Sequence, residues 1–442
     1  MRDVPYRLNK QKDSLDTLVS RRIKMIIKKR LKVMFFLQFF IWGAWLVTLG
    51  AYMMNTLNFT GAQVGLVYGA KGIACILMPS IVGIIADRWV KANILYAGCH
   101  LLGAVALLIA ANISDPNFMF FVMLFNAMVY MPTIALANTI SYICLEKAGL
   151  DTIKDFPAVR VFGTVGFIFA MWTISLSGFE LSNIQLYIAS GAALLLAIYA
   201  LSLPSCPTSN VKKDRSWVNL LGLDAFVLFK QKKMAIFFLF AMLLGASLQI
   251  SHTFSSPFLH DFAKNPVYQD SLVVQYPSIL LSMAQIAEVF FILTIPFFLS
   301  RYGIKRVMMI SMVAWTLRFT LFAYGDPSAT GIVLLLLSMV VYGCAFDFFN
   351  ISGAIYVEKE VDSTIRGSAQ GLFMTMVNGV GAYVGAITSG HVVDYFTDGG
   401  VKDWNSIWLS FAAYTLMLLV IFVFVFQYKH DAVELKDRQL SH

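Results

Sequence analysis

The sequence predicts an all-α integral membrane protein of twelve transmembrane helices, arranged as two halves of six. Three observations support this prediction. Of the 442 residues, 58% are hydrophobic and only 13% are charged, whereas a soluble globular chain averages about 25% charged residues. Apolar segments close to the ~20 residues that a bilayer requires recur along the chain. Lysine and arginine are concentrated in alternate connections between these segments.

The apolar segments define the elements in order. An N-terminal arm, 1–32, is basic and polar, and the full-length apolar segment behind it excludes a cleavable signal. The N-terminal half covers 33–203, the central loop 204–233, the C-terminal half 234–427 and the tail 428–442. The twelve predicted spans are 33–54, 64–86, 93–112, 117–141, 161–180, 184–203, 234–257, 274–299, 306–324, 330–355, 368–393 and 405–427.

The positive charges predict the orientation. Thirty of the 34 Lys and Arg residues lie in the arm, the tail and one set of alternate loops, and the opposite loops carry only Lys264 and Lys402. The positive-inside rule therefore places both termini and the central loop in the cytoplasm. The net charge of +9 is explained by this distribution, so we expect a lipid bilayer and no nucleic acid as a partner.

A weak repeat relates the two halves. The turn after the second span contains Gly83, Asp87 and Arg88, and the turn after the eighth span contains the basic pair Arg301 and Lys305. Two parallel six-span halves describe the major facilitator fold, and the first turn resembles the loop signature of that superfamily. We expect Gly83, Asp87 and Arg88 to form an ionic latch at a cytoplasmic gate. A simple topogenic charge cluster is the alternative.

Two carboxylates, Glu288 and Asp347, lie inside predicted spans. A charged side chain at the bilayer centre costs roughly 2.5–3.5 kcal/mol even on mild scales, so intramembrane acids are functional candidates. We expect both to be proton-coupling residues. A purely structural ion pair is the alternative, and Arg160 is then the natural partner.

Other polar and aromatic residues share helix faces with these acids. The predicted set suits a flat, hydroxylated solute, because rings stack on rings while amides and acids bind hydroxyls and ring edges. For the glutamines the alternative is interhelical hydrogen bonding, and for His252 it is simple packing. The candidates are Arg160, Thr164, Phe167, Gln249, His252, Gln285, Glu288, Tyr342, Phe346 and Asp347.

Two cations inside spans have structural interpretations. Lys71 is expected to extend its ammonium toward the outer membrane face, and Arg318 is expected to be a structural partner or to extend toward a helix end. The chain has no phosphate-binding glycine loop and no dinucleotide fingerprint. The five cysteines show no metal-binding spacing. We therefore expect a gradient-driven transporter without cofactor or metal, and not an enzyme.

Five segments resemble the nucleoside:proton symporter family of the major facilitator superfamily. They are Phe40 to Trp45, Asp155 to Thr164, Thr173 to Leu181, Leu220 to Phe226 and Tyr342 to Gly353. The resemblance extends from about Met25 to His442.

The resemblance implies nucleosides such as uridine and adenosine as substrates, protons as the coupling ion, a monomer and the cytoplasmic membrane of a bacterium. It also implies that nine of the ten candidates above, all except His252, match the residues of the family's nucleoside site. His252 and Lys71 depart from the pattern, since the family resemblance places asparagine and an apolar residue there. A permease for another hydroxylated solute, such as a sugar, and a transport-dead sensor are the alternatives.

Overall fold

The computed structural model describes residues 4–208 and 222–428, with side chains described from residue 21 onward and Asp87 excepted. The first half is helical, and the loop behind its first helix contains a short π-helical turn, Tyr52–Thr56. Its helices are α1 (Val4–Gly43), α2 (Leu49–Ala51), α3 (Gly61–Arg88), α4 (Ala92–Ala110), α5 (Pro116–Lys147), α6 (Thr152–Leu176) and α7 (Ile184–Ser202).

The second half begins after a 3-10 helix, Leu223–Lys230. A π-helical turn, Thr375–Gly381, connects the helices Arg366–Met374 and Ala382–Tyr395, and the two-residue strands β1 (Thr397–Asp398) and β2 (Val401–Lys402) pair antiparallel. Two further 3-10 turns are Phe262–Lys264 and Pro266–Tyr268. The helices are α8 (Lys232–Asp261), α9 (Leu272–Gln275), α10 (Pro277–Tyr324), α11 (Gly331–Glu360), α12 (Arg366–Met374), α13 (Ala382–Tyr395) and α14 (Trp404–Val425).

Ten helical segments in the described part are long and apolar enough to cross a membrane. Helix α10 has 48 residues, about twice the length that one crossing needs. Gly303 interrupts it with a φ of 77°, a left-handed conformation that glycine adopts without a Cβ penalty. This break lies between the predicted spans 274–299 and 306–324, so α10 corresponds to both. An all-α membrane protein is confirmed, and the count of twelve spans stays a prediction.

Side-chain caps fix where several helices begin. Thr60 accepts a hydrogen bond from the Gln63 amide while the Gln63 side chain accepts one from the Thr60 amide, a reciprocal capping box before α3. Asp115 caps α5, which has Pro116 in its first turn. These residues satisfy amides that have no partner inside a helix. They begin α3 and α5 close to the starts of the predicted spans 64–86 and 117–141.

Small residues line the seam where α3 of the first half meets α13 of the second half. A Cβ at Gly61 would lie 2.6 Å from the Gly390 carbonyl oxygen, and one at Gly65 would collide with the Ala386 carbonyl. The missing side chains allow the two backbones to approach closely, as in other small-residue contacts between membrane helices. We call this contact the glycine seam.

Polar contacts hold the halves together at one end of the bundle. Asp394 accepts hydrogen bonds from the Gly61 and Ala62 amides. Glu180 accepts one from the Ser278 amide at 3.1 Å and pairs with His260 at 2.8 Å. We call this the joined end. It lies opposite the end with most of the lysines and arginines, the basic end, where Lys28 forms a 2.6 Å salt bridge with Asp155.

Candidate functional site

The two intramembrane carboxylates are brought together by a close contact between α10 and α11. A Cβ at Gly343 would lie 2.7 Å from the Ala287 carbonyl carbon and 2.8 Å from the Glu288 backbone nitrogen. Glycine therefore lets the backbone of α11 approach α10 where both helices carry their acids. The result is that Glu288 and Asp347 lie within electrostatic range of each other.

Arg160 faces this pair from the other half of the protein. Its charge interacts with Glu288, and its guanidinium lies 4.2 Å from the centre of the Phe39 ring and 5.5 Å from that of Phe35. Cation–π contacts of this kind stabilise a guanidinium that is partly removed from water. The sequence predicted Arg160 as the partner of the acids, and the structure places it as an electrostatic neighbour of Glu288.

Asp347 is the more buried of the two acids, with 4% of its surface exposed. Its Oδ2 atom has no hydrogen-bond partner among the described residues. Buried polar atoms are nearly always satisfied by protein groups or ordered water. A carboxylate oxygen in this position is available to a proton or to a hydroxyl group of a solute.

Tyr342 connects the aromatic and polar members of the site. Its hydroxyl lies 3.1 Å from the His252 Nε2 atom, and the Gln285 side chain lies beside it. The Phe346 ring stacks at 6.1 Å from the Tyr342 ring with an interplanar angle of 6°. Residues predicted on α8, α10 and α11 therefore form one group in the second half.

Polar atoms beside this group lack partners in the described part of the chain. They are the His252 Nδ1 atom and the Gln249 Oε1 atom. The Gln249 Nε2 atom is used, since it donates to Thr253 at 3.0 Å. One nitrogen and one oxygen are thus free to bind a heterocycle.

Arg318 lies behind Tyr342 and is buried. Its guanidinium donates to the Ser338 carbonyl at 2.7 Å and to the Ser251 hydroxyl at 2.9 Å. It also lies 4.6 Å from the centre of the Tyr342 ring. These contacts hold the tyrosine in place, in line with the structural role predicted for Arg318.

The two remaining candidates of the first half lie on α6. Phe167 packs edge-on against Trp42, with ring centres 6.3 Å apart. Thr164 lies one helical turn after Arg160 and is half-buried. The structure thus places all three α6 candidates along one helix.

A cavity of about 1290 Å³ adjoins the site on the side of the basic end. Its wall is formed by α1, α3, α5, α12, the π-helical turn Thr375–Gly381 and the 3-10 helix Leu223–Lys230, and none of the ten predicted residues belongs to it. Two wall residues touch the predicted group. Trp42 packs on Phe167, and Lys71 lies within electrostatic range of His252.

Lys71 corrects one expectation. The sequence predicted that its ammonium extends toward the outer membrane face, whereas the structure places the side chain in the cavity wall between the halves. The sequence showed where Lys71 lies along α3. The direction in which its side chain points depends on which helices pack against α3. Lys71 is the main neighbour of the site that sequence reasoning missed.

The predicted gate at Gly83, Asp87 and Arg88 lies at the basic end, where α3 finishes. The Asp87 side chain is outside the described residues. A Cβ at Gly83 would meet nothing within 4 Å, so this glycine is not required by a close contact. The ionic latch stays a prediction.

Comparisons with known proteins identify relatives along nearly the whole chain. A profile of the nucleoside H+ symporter family matches residues 25–431. The chain is 66% identical to the xanthosine permease of Escherichia coli over 418 residues, which are 95% of this chain and 100% of the permease. It is 55% identical to the nucleoside permease NupG of Escherichia coli over 418 residues, which are again 95% of this chain and 100% of the permease. The crystal structure of NupG superimposes with a TM-score of 0.87 at 56% identity, covering 91% of this chain and all of that one.

Proposed function

The chain belongs to the nucleoside H+ symporter family, and from this premise we propose that it imports nucleosides together with protons by alternating access around a site between its halves. The observation that carries this proposal is the group Glu288, Asp347 and Arg160, in which side chains from both halves lie within electrostatic range inside the apolar bundle. Titratable groups there are typical of proton pathways in transporters. Family membership also confirms that the chain is a membrane transporter and not an enzyme.

The site chemistry suits a nucleoside. The rings of Tyr342, Phe346 and Phe167 offer surfaces on which a base can stack. The amides of Gln249 and Gln285 and the imidazole of His252 can donate to or accept from the base edge. The carboxylates of Glu288 and Asp347 can accept hydrogen bonds from ribose hydroxyls, and either can take up the coupled proton.

The contacts between the halves support alternating access. The halves are linked at the joined end by Asp394 and Glu180, and a cavity lies on the side of the basic end. With the basic end in the cytoplasm, as the positive-inside rule predicts, the structure is open to the inside. We propose a bacterial cytoplasmic membrane as the location, with both termini inside.

One chain supplies every group of the proposed site, which supports a functional monomer. The relatives named above point to xanthosine as a substrate besides uridine and adenosine, because the identity to the xanthosine permease is higher than that to NupG.

Uptake into proteoliposomes tests the function. The purified protein is reconstituted, and entry of radiolabelled uridine, inosine and xanthosine is measured with and without an imposed pH gradient, acidic outside. We expect accumulation above equilibrium only with the gradient. Uptake of a sugar in place of nucleosides would favour the permease for another hydroxylated solute. Binding without uptake would favour a sensor.

A further inference from the structure

Lys71 is a cation in an unusual place. It lies on α3, inside the membrane bundle, and its side chain is part of the wall of the 1290 Å³ cavity. No carboxylate within the described part of the chain lies at salt-bridge distance from its ammonium. An intramembrane lysine is energetically costly and ordinarily has a partner or faces a pathway. The cavity is therefore the place to look for its partner.

The surroundings of Lys71 are cationic or neutral. Its titratable neighbours are Cys75 on α3 and His252 on α8, and Tyr383 of α13 packs on the adjacent Gly72. The other elements of the wall contribute neutral amides, Asn138 from α5 and Asn378 from the π-helical turn. Nothing in this group neutralises the ammonium.

The charges of the site are separated into two sides. His252 lies within electrostatic range of both Lys71 and Arg318. Glu288 and Asp347 interact electrostatically with Tyr342, whose hydroxyl contacts His252, but they are not among the charged neighbours of Lys71 or His252. Arg318 already donates to Ser251 and Ser338, so Lys71 is the cation with capacity for a new acceptor. A solute that spans the site meets carboxylates at one end and an ammonium at the other.

We propose that Lys71, together with His252, binds the ionised base of a nucleoside whose base is a weak acid, as in a 2,6-dioxopurine nucleoside. This inference rests on the proposed nucleoside transport. The base of a 2,6-dioxopurine nucleoside loses a ring N–H proton near neutral pH, because the negative charge spreads over the carbonyl oxygens and the fused ring system. The bases of inosine, adenosine and uridine are neutral there. Hydrogen bonds from an ammonium to a negatively charged acceptor are shorter and stronger than neutral ones.

Binding of an ionised base also determines the net charge that is carried across the membrane with each nucleoside. An anionic base that enters with one proton carries no net charge, whereas a neutral nucleoside with one proton carries a positive charge. The same protein is therefore electrogenic with inosine and electrically silent with xanthosine at the same proton stoichiometry.

The test compares xanthosine with inosine, which lacks only the second carbonyl of the base. Proteoliposomes contain wild type, Lys71→Met, Lys71→Arg or the control Lys233→Met, which removes an exposed lysine in the first turn of α8. Lys71→Met should raise the KM for xanthosine relative to that for inosine by roughly 10- to 100-fold, the value of a hydrogen bond to a charged group. Lys71→Arg should restore part of the preference, and Lys233→Met should leave the ratio as in wild type.

Two further readouts use the unmodified protein and do not depend on how a variant folds. Affinity for xanthosine should fall as the pH is lowered through the range in which its base is protonated, more steeply than affinity for inosine. Transport currents should appear with inosine and be much smaller with xanthosine. A KM ratio unchanged in Lys71→Met, or equal pH dependence for both nucleosides, overturns the role of Lys71. If wild type transports neither nucleoside, the proposed function itself fails, and this inference with it.

Discussion

Asp394, near the end of α13, accepts hydrogen bonds from the first amides of α3, with Oδ1 2.5 Å from the Gly61 nitrogen and Oδ2 2.8 Å from the Ala62 nitrogen. The carboxylate belongs to the second half and the helix to the first. A helix N-terminus carries a partial positive charge and unsatisfied amides, so it binds a carboxylate favourably. This contact is a lock between the halves at the joined end.

Asp394→Asn should weaken that lock, because the neutral amide loses the charge interaction, worth about 0.3–2 kcal/mol. We expect a larger population that is open at the joined end. Pulsed electron paramagnetic resonance between spin labels at Asn117 and Ala329, both at that end, measures it. Asp403→Asn is the control, because Asp403 caps α14 within its own half. Equal distance distributions for Asp394→Asn and wild type would show that this contact does not restrain opening at the joined end.

Glu288→Gln and Asp347→Asn keep the side-chain shape and remove the titratable group. We expect at least one of them to abolish uptake against a gradient while nucleoside exchange or binding persists, because an amide cannot carry the proton. Counterflow and gradient-driven uptake of uridine separate the two activities. The control is Asp270→Asn, an exposed acid outside the bundle. If both variants still concentrate uridine when a pH gradient is imposed, the coupling acid lies elsewhere or another ion drives transport.

His252→Asn should change base preference or the pH optimum without abolishing transport. The imidazole bonds to the Tyr342 hydroxyl through Nε2 and leaves Nδ1 for a ligand. Asparagine keeps a donor and an acceptor but does not titrate near neutral pH, as an imidazole can. Competition of unlabelled nucleosides against labelled uridine, across a range of pH, measures both effects. Identical selectivity and pH profiles would assign His252 to packing.

Gly343→Ala should destabilise the protein and impair transport. Its Cβ would lie 2.7 Å from the Ala287 backbone, and overpacking of this kind costs about 1–3 kcal/mol. Forcing α11 away from α10 also separates Asp347 from Glu288. Thermal unfolding in detergent and uridine uptake are the measurements. Gly98→Ala on α4 is the matched control, because its Cβ would meet nothing within 4 Å; equal melting temperatures for the two variants would contradict the tight contact.

A chain beginning at Met25 should insert and transport like the full chain. Among the described side chains of the arm, Lys28 pairs with Asp155 and Arg30 donates to the Ser202 carbonyl. Both are retained, and so are the basic residues next to the first span that set its orientation. Uridine uptake at equal membrane abundance is the measurement. A large loss would show that residues 1–24 have a function of their own.

Hydropathy alone located the apolar segments, because every span must present apolar residues to the hydrocarbon core of the bilayer. It did not show that the first predicted span, 33–54, is interrupted after Gly43 and continues through a π-helical turn. That interruption depends on backbone hydrogen bonds and not on composition. Likewise, Gly303 could be recognised as a turn residue, but its left-handed φ is a property of the folded backbone.

The helical period was enough to place Gln285 beside Glu288, and Tyr342 beside Phe346, because each pair shares one helix. Which helices meet is a property of the packed halves. The approach of Arg160 to Glu288 and the bond from His252 to Tyr342 depend on that packing, which no periodic pattern encodes. Lys71 shows the limit most clearly: an isolated lysine in an apolar helix has no periodic partners that reveal its direction.

The glycine seam has a mechanical consequence. Because Gly61 and Gly65 present bare backbone to α13, no side chain at these two positions must change rotamer before α3 and α13 separate. Close to the joined end, the contact between Asp394 and the first amides of α3 therefore holds the two helices together. A single methyl group added at Gly61 or Gly65 would hold α3 and α13 apart and keep the joined end partly open.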